Sequence, residues 1–162
     1  MPKDIAVRAS LGQNRDIVRW FGGDIESDKS LSEEQARDHL HQRFGRGPHW
    51  VMADQSDRFI GVARLAPLDV ESRSAKFAIG IFVPNRLGEG LGTEGTRLAI
   101  TYGFEHLDLT EITLTVLAEN ERAITAYKKC GFREAGRTPE ALHRDGRWYE
   151  DLHMRITNTD DR

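Results

Sequence analysis

Apolar positions recur along this chain in two rhythms, one near every third or fourth residue and one at every second. They place helices and strands in a consistent order. Ile5-Ala-Val-Arg8 reads as a short strand, and Asn14 is placed to cap a helix carrying Ile17, Val18 and Phe21 on one face. Gly22-Gly23 would end it, with Asp24 to Ser30 as loop. Ser32-Glu-Glu-Gln35 is a capping-box pattern, and Ala36, Leu40 and Phe44 recur every four residues behind it until Gly45 and Gly47-Pro48. His49 to Asp54 and Arg58 to Leu65 predict a strand pair around the polar turn Asp54-Gln-Ser-Asp57, followed by a loop from Ala66 to Ser74.

The continuous apolar run Phe77 to Val83 predicts a strand buried on both faces, stopped by Pro84. A helix from about Thr93 to Leu107 carries two apolar stripes, Leu91/Gly95/Leu98/Ala99/Tyr102 and Ile100/Gly103/Phe104/Leu107, which predicts burial around much of its circumference. Glu111 to Leu117 alternates as a strand, and a right-handed crossover makes it parallel to the previous one. Asn120 caps a short helix that Gly131 terminates. Asp145-Gly146 is a type I′ hairpin signal, beyond which Leu152, Met154 and Ile156 face one way. From Asn158 onward the tail is expected to be disordered, leaving 1–157 as a single domain.

Composition narrows the function classes. At 162 residues the chain is one domain's worth. A net charge of −3 and a pI near 6.1 lack the basic excess of a nucleic-acid module and suit cationic small molecules or peptides. With one cysteine, Cys130, there is no internal disulfide, and a reducing, cytoplasmic setting is expected. No apolar stretch approaches membrane-spanning length, so no membrane partner is expected. The six histidines are scattered, and His39 and His41, two apart on a helix, point in different directions. No metal is expected.

The candidate chemistry begins where the Phe77 to Val83 strand meets a glycine-rich turn and a helix. Gly88, Gly90 and Gly92 let backbone N–H groups approach an anion, and the following helix points its positive dipole end at the same spot. The glycines fall at every second position and no Lys follows them, so neither a P-loop nor a dinucleotide fingerprint fits.

This loop, together with Asn120-Glu-Arg-Ala-Ile-Thr-Ala-Tyr127-Lys-Lys-Cys-Gly-Phe132, resembles the GNAT superfamily of acetyl-CoA-dependent N-acetyltransferases. The C-terminal Asp-Gly-Arg-Trp-Tyr-Glu-Asp151-Leu-His-Met run is similar to the branch of ribosomal-protein N-terminal acetylases and spermidine acetyltransferases. The resemblance implies an α/β (α+β) fold: a mixed central sheet of about seven strands flanked by about four helices, with two parallel central strands splayed apart. It implies a cosubstrate, acetyl-CoA, whose pantetheine arm enters the splay beside Ile81, Phe82 and Val83 and whose pyrophosphate lies on Arg86, Leu87, Gly88, Glu89, Gly90, Leu91, Gly92 and Thr93.

By the same resemblance Asn120 orients cofactor and helix start, and Tyr127 is the general acid to the departing thiolate. On spacing alone Tyr127 also belongs to an ordinary apolar face with Ala123 and Ile124. The family loop usually carries Gln or Arg at the position of Leu87, with Arg86 here one residue early, and is often basic where Glu89 stands. A general base is unassigned among Glu71, Glu119, Asp151 and a water relay. The implied reaction is direct attack by a primary amine of a protein N-terminus, a polyamine or an aminoglycoside-like molecule; the alternative is a non-catalytic acyl-CoA-binding or sensor module. Homodimers are common in the family, and nothing in the sequence marks an interface.

Overall fold

The computed structural model describes residues 2–11, 14, 17, 20, 31–41 and 46–158. Four α-helices are found among them, α1 (Pro2–Leu11), α2 (Glu33–His41), α3 (Leu91–His106) and α4 (Glu121–Lys129). Six strands, β1 (His49–Ala53), β2 (Phe59–Asp69), β3 (Ser74–Ile81), β4 (Glu111–Leu117), β5 (Arg133–Arg144) and β6 (Arg147–Thr157), form one sheet in the order β1-β2-β3-β4-β6-β5. All neighbours are antiparallel except β3 and β4.

The strand expected at Ile5 to Arg8 is instead part of α1. Its buried residues, Asp4 and Arg8, are one helical turn apart and share the inward face of the helix. Arg8 lays its guanidinium over the Phe82 ring, 4.3 Å from the centroid, so tertiary packing decides what the short apolar run left ambiguous. That change accounts for six strands where about seven were expected. The capping box at α2 forms in both directions: Gln35 N–H donates to Ser32 Oγ at 3.1 Å and Ser32 N–H donates to Gln35 Oε1 at 3.0 Å. Val18, Phe21, Gly22-Gly23, the loop at 24–30, Phe44 and Gly45 lie outside the described residues.

β2 runs further than its apolar pattern suggested, through Pro67 to Asp69. The register shifts between Leu65 and Leu68, which leaves Pro67 where no ladder donor is required, and the expected Ala66 to Ser74 loop shrinks to a turn. At the other end Asn158 is tied down, its N–H donating to the Thr110 carbonyl at 3.1 Å. Residues 159–162 lie outside the described chain. The Asp145-Gly146 turn has positive φ at both residues, 51° and 73°, as a type I′ hairpin requires, and Leu152, Met154 and Ile156 are all buried.

α3 packs on the sheet through Gly95, Thr96, Ala99, Ile100 and Gly103. A Cβ at Gly95 would lie 2.6 Å from Met52 Cε, so the missing side chain sets how closely the helix approaches. The burial expected around much of the circumference of α3 is not reached: Leu98 is 67% exposed, because only one face of the helix meets the sheet. The central core joins Leu65, Phe77, Ile112, Leu114, Phe132, Leu152 and Met154.

Function is set by the parallel pair. β3 and β4 share three rungs, Ser74↔Glu111, Ala75↔Ile112 and Lys76↔Thr113, and then part, although β3 continues to Ile81 and β4 to Leu117. Each strand stays paired on its outer side, β3 to β2 as far as Ile81↔Gly61 and β4 to β6 as far as Leu117↔Asp151. Both strands thus keep their outer neighbours while the seam between them opens, and backbone groups along it face the gap.

Candidate active site

A cleft of about 560 Å³ fills the opening. β3 contributes Phe77, Ala78, Ile79 and Ile81, β4 contributes Thr115 and Val116, and the glycine loop and α4 close the far side, with Ile17 and Trp20 also in its lining.

The loop is shaped by its residues one after another. Pro84 to Arg86 make a 3₁₀ turn, in which Arg86 N–H donates to the Val83 carbonyl at 3.0 Å and Leu87 N–H to the Pro84 carbonyl at 3.2 Å. Gly88 and Gly90 then take φ of 90° and 85°, a left-handed conformation that disfavours any side chain. Gly90 is the N-cap of α3, and the first helical bond runs from Glu94 N–H to the Gly90 carbonyl at 3.0 Å. The amides of Leu91, Gly92 and Thr93 are thus the first-turn donors that a helix cannot satisfy internally, gathered at its positive end. A Cβ at Gly88, Gly90 or Gly92 would meet no atom within 4 Å, so the loop faces open space. A diphosphate fits this geometry.

Tyr127 closes the cleft from α4, whose two ends are both fixed. At the start, Asn120 is 8% exposed and its side-chain oxygen accepts from Ala123 N–H at 3.2 Å. At the end, Phe132 N–H donates to the Tyr127 carbonyl at 3.1 Å and Gly131 N–H to the Lys128 carbonyl at 3.1 Å, with Gly131 at φ 95°. This is a Schellman cap, and it brings the Phe132 ring edge-on to Tyr127 with centroids 5.9 Å apart. Phe77 meets the same ring at 6.3 Å and 87°. Two aromatic neighbours and a capped helix thus hold the phenol in the cleft wall, where burial pushes its pKa up to about 12. The phenol keeps its proton at neutral pH.

Comparison with known proteins fits this geometry. The profile of the acetyltransferase (GNAT) domain matches residues 1–133. The chain belongs to the GNAT acetyltransferase family. It is 33% identical over 154 residues to a spermidine N(1)-acetyltransferase of Vibrio cholerae, covering 94% of this chain and 87% of that protein. A spermidine N(1)-acetyltransferase of Escherichia coli is 30% identical over 155 residues, 95% of this chain and 81% of its own length. The solved structure of spermidine N-acetyltransferase from Vibrio cholerae in complex with CoA and spermine aligns with a TM-score of 0.79 at 30% identity, covering 98% of this chain and 92% of that one. This protein is an acetyl-CoA-dependent N-acetyltransferase.

Ten of the acetyltransferase residues expected from sequence line the cleft together: Ile81, Arg86, Leu87, Gly88, Gly90, Leu91, Gly92, Thr93, Asn120 and Tyr127. Phe82, Val83 and Glu89 are not among its lining residues. Phe82 turns to the opposite side, stacked on Phe59 at 6.4 Å, and its N–H donates to the Ile60 carbonyl at 2.9 Å. β3 ends at Ile81, and the Val83 carbonyl is taken by the 3₁₀ turn. Glu89 accepts a bond from Arg86 Nε at 2.6 Å. Its carboxylate is therefore balanced by a guanidinium beside the site proposed for the diphosphate.

Asp54, on the β1–β2 turn, accepts from Arg86 Nη1 at 3.0 Å. Bonds from the Arg58 amide and guanidinium, then from Arg86 and the Ser56 amide, hold the Asp54 carboxyl far below the usual carboxylate range. Arg86 is raised in turn, through Glu89 first and Asp54 second.

Phe77, Ala78, Ile79, Thr115 and Val116 also line the acetyltransferase cleft and escaped the sequence reading. The signal was the strand pattern itself: once two parallel strands part, the residues just beyond the last rung face the gap. None of the three candidate bases lines it. Glu71 is exposed on a turn, Glu119 pairs with Arg147, and Asp151 sits in β6 opposite Leu117. Thr115 does line the cleft, and its Oγ1 lies 3.3 Å from His153 Nδ1, whose Nε2 is 2.7 Å from Thr138 Oγ1. Cys130 donates its Sγ–H to the Thr93 carbonyl at 3.4 Å, and burial raises its thiol, so it ties α4 to α3 as a packed residue. No helix among the described residues is long and apolar enough to cross a membrane.

Proposed function

We propose that this acetyltransferase transfers the acetyl group of acetyl-CoA to a primary amine of a polyamine by direct attack, with Tyr127 as the acid at the departing sulfur. The observation that carries the reading is the position of Tyr127: a half-buried phenol in the wall of a split that opens beyond Lys76 and Thr113, beside amides suited to a diphosphate. Likeness to two spermidine N(1)-acetyltransferases over nearly the whole chain supports the acceptor class.

In this scheme the amides of Leu91, Gly92 and Thr93 bind the diphosphate, and the unpaired edge of β3 takes the pantetheine arm as a further strand would. The amine nitrogen forms a bond to the thioester carbonyl carbon as the carbon–sulfur bond breaks. Tyr127 donates its hydroxyl proton toward sulfur, and the proton released from nitrogen passes to solvent, from which the phenol is replenished. A free thiol ionises near ~8.5, well below this phenol, but burial in the same cleft raises the thiol too and brings the pair closer to matched. Excluding water from the seam strengthens the hydrogen bond at the moment charge develops.

Release of free thiol from acetyl-CoA, measured with spermidine, spermine, an N-terminal peptide amine and an aminoglycoside, tests the assignment. The polyamines should give kcat/KM at least about tenfold above the others, a discrimination of ~1.4 kcal/mol. Preference for the peptide or the aminoglycoside would overturn the acceptor class.

A further inference from the structure

Arg86 lines the cleft, yet carboxylates hold two of its donors: Nε meets Glu89 Oε2 at 2.6 Å and Nη1 meets Asp54 Oδ2 at 3.0 Å. The two carboxylates differ in kind. The Asp54 side chain is only 10% exposed and is fixed on several sides, with Oδ1 accepting from Ser56 N–H at 2.9 Å and Arg58 N–H at 3.1 Å, and Oδ2 accepting from Arg58 Nε at 2.9 Å. It cannot follow Arg86 to a new position without giving up those bonds. The Glu89 side chain is 46% exposed, lies three residues from Arg86 on the same loop, and can rotate away at small cost.

A guanidinium recognises carboxylate and phosphate oxygens with the same fork of donors. Arg86 therefore carries one fixed carboxylate and one exchangeable carboxylate, beside the amides suited to a diphosphate. We propose that Asp54 is a positioning residue that presents Arg86 to the diphosphate of the acyl donor, and that Glu89 occupies the Nε side of Arg86 until the diphosphate displaces it. The inference rests on the acetyl-CoA reading above. It explains how a loop with an acidic residue beside Gly90 can still receive a polyanion: the carboxylate leaves its partner when the stronger anion, also held by main-chain amides, arrives.

The two acidic residues on one arginine then have opposite effects on coenzyme affinity. Titration calorimetry with coenzyme A on the 162-residue chain would compare wild type, Glu89→Gln, Asp54→Asn, and each of these in an Arg86→Met background. Glu89→Gln should tighten binding about threefold to fivefold, as loss of a half-exposed competing ion pair implies. Asp54→Asn should weaken it about tenfold, and both effects should shrink as salt rises. KM for acetyl-CoA should move in the same directions while kcat stays within about twofold, since uniform binding is what changes. Both effects should vanish with Arg86→Met. Glu89→Gln is exposed and keeps the fold, so it decides the matter even if Asp54→Asn is unstable: unchanged or weaker binding, or a gain that survives in Arg86→Met, overturns the proposal. Failure of the wild-type protein to bind coenzyme A would instead remove the donor reading on which it rests.

Discussion

Phe77 is the first residue of β3 beyond the last parallel rung, and its ring meets Tyr127 edge-on at 6.3 Å. The residue at which the sheet opens is thus also one of the two rings that hold the phenol. Phe77→Leu keeps an apolar side chain but removes one wall of the Tyr127 site. It should cost about 1.5 kcal/mol of stability and lower kcat about tenfold, with coenzyme A affinity little changed. Thermal melts and steady-state kinetics on one preparation check both.

Gly90 and Gly92 separate conformation from access. Gly90 sits at φ 85°, so Gly90→Ala strains the backbone by roughly 1 kcal/mol and lowers the melting temperature of the free protein. Gly92 is inside α3 and has no positive φ, so Gly92→Ala should raise the melting temperature through better helix propensity. Both add a Cβ to the open space at the loop and should weaken coenzyme A binding. Stabilisation coupled to weaker binding in Gly92→Ala is the discriminating result, read by calorimetry beside the melts.

The raised phenol of Tyr127 sets a pH window. With the folded value near 12 and an unfolded value near 10, both states keep the proton at neutral pH, and stability is indifferent to this group until the pH comes within about one unit of the unfolded value. Between the two values the unfolded chain loses its proton first, so stability falls as pH rises, by about 1.4 kcal/mol per unit. Likewise kcat should show no descending limb from loss of the acid below pH 10. Ultraviolet titration should reveal a late-ionising phenol that is absent from Tyr127→Phe, and the kcat profile from pH 7 to 10 gives the second check.

Asn120 anchors the helix that carries the acid. Asn120→Ala removes the cap on Ala123 and should cost about 1 kcal/mol, whereas Asn120→Asp, which can still accept that bond, should keep most of it. If α4 is fixed at this end, kcat should fall in Asn120→Ala and recover substantially in Asn120→Asp.

The elements that were legible in the sequence are those whose signals are local. The Ser32–Gln35 capping box, the Asp145-Gly146 turn, the Asn120 cap and the Gly131 terminus each form by contacts within a few residues, and each is found in the structure. The family itself was readable from the glycine loop and the Asn120 to Phe132 segment, because those residues carry fixed spacing. What stayed hidden depends on partners distant in sequence. Ile5 to Arg8 becomes helical because Arg8 packs on Phe82, and the aromatic clasp around Tyr127 needs Phe77 from another strand. Asp54 reaches Arg86 across 32 residues, a pairing that no local pattern announces. The cleft residues Thr115 and Val116 were read as ordinary strand positions, since only the end of pairing at Lys76 and Thr113 exposes them.

The central claim, that a phenol beside the thioester assists departure of the thiolate, is tested most directly by kcat for spermidine acetylation in Tyr127→Phe, with coenzyme A affinity measured on the same protein. The account predicts a loss in kcat of about 10² to 10⁴ with affinity held within a few-fold. An undiminished kcat, or a loss explained wholly by weaker coenzyme A binding, would contradict it.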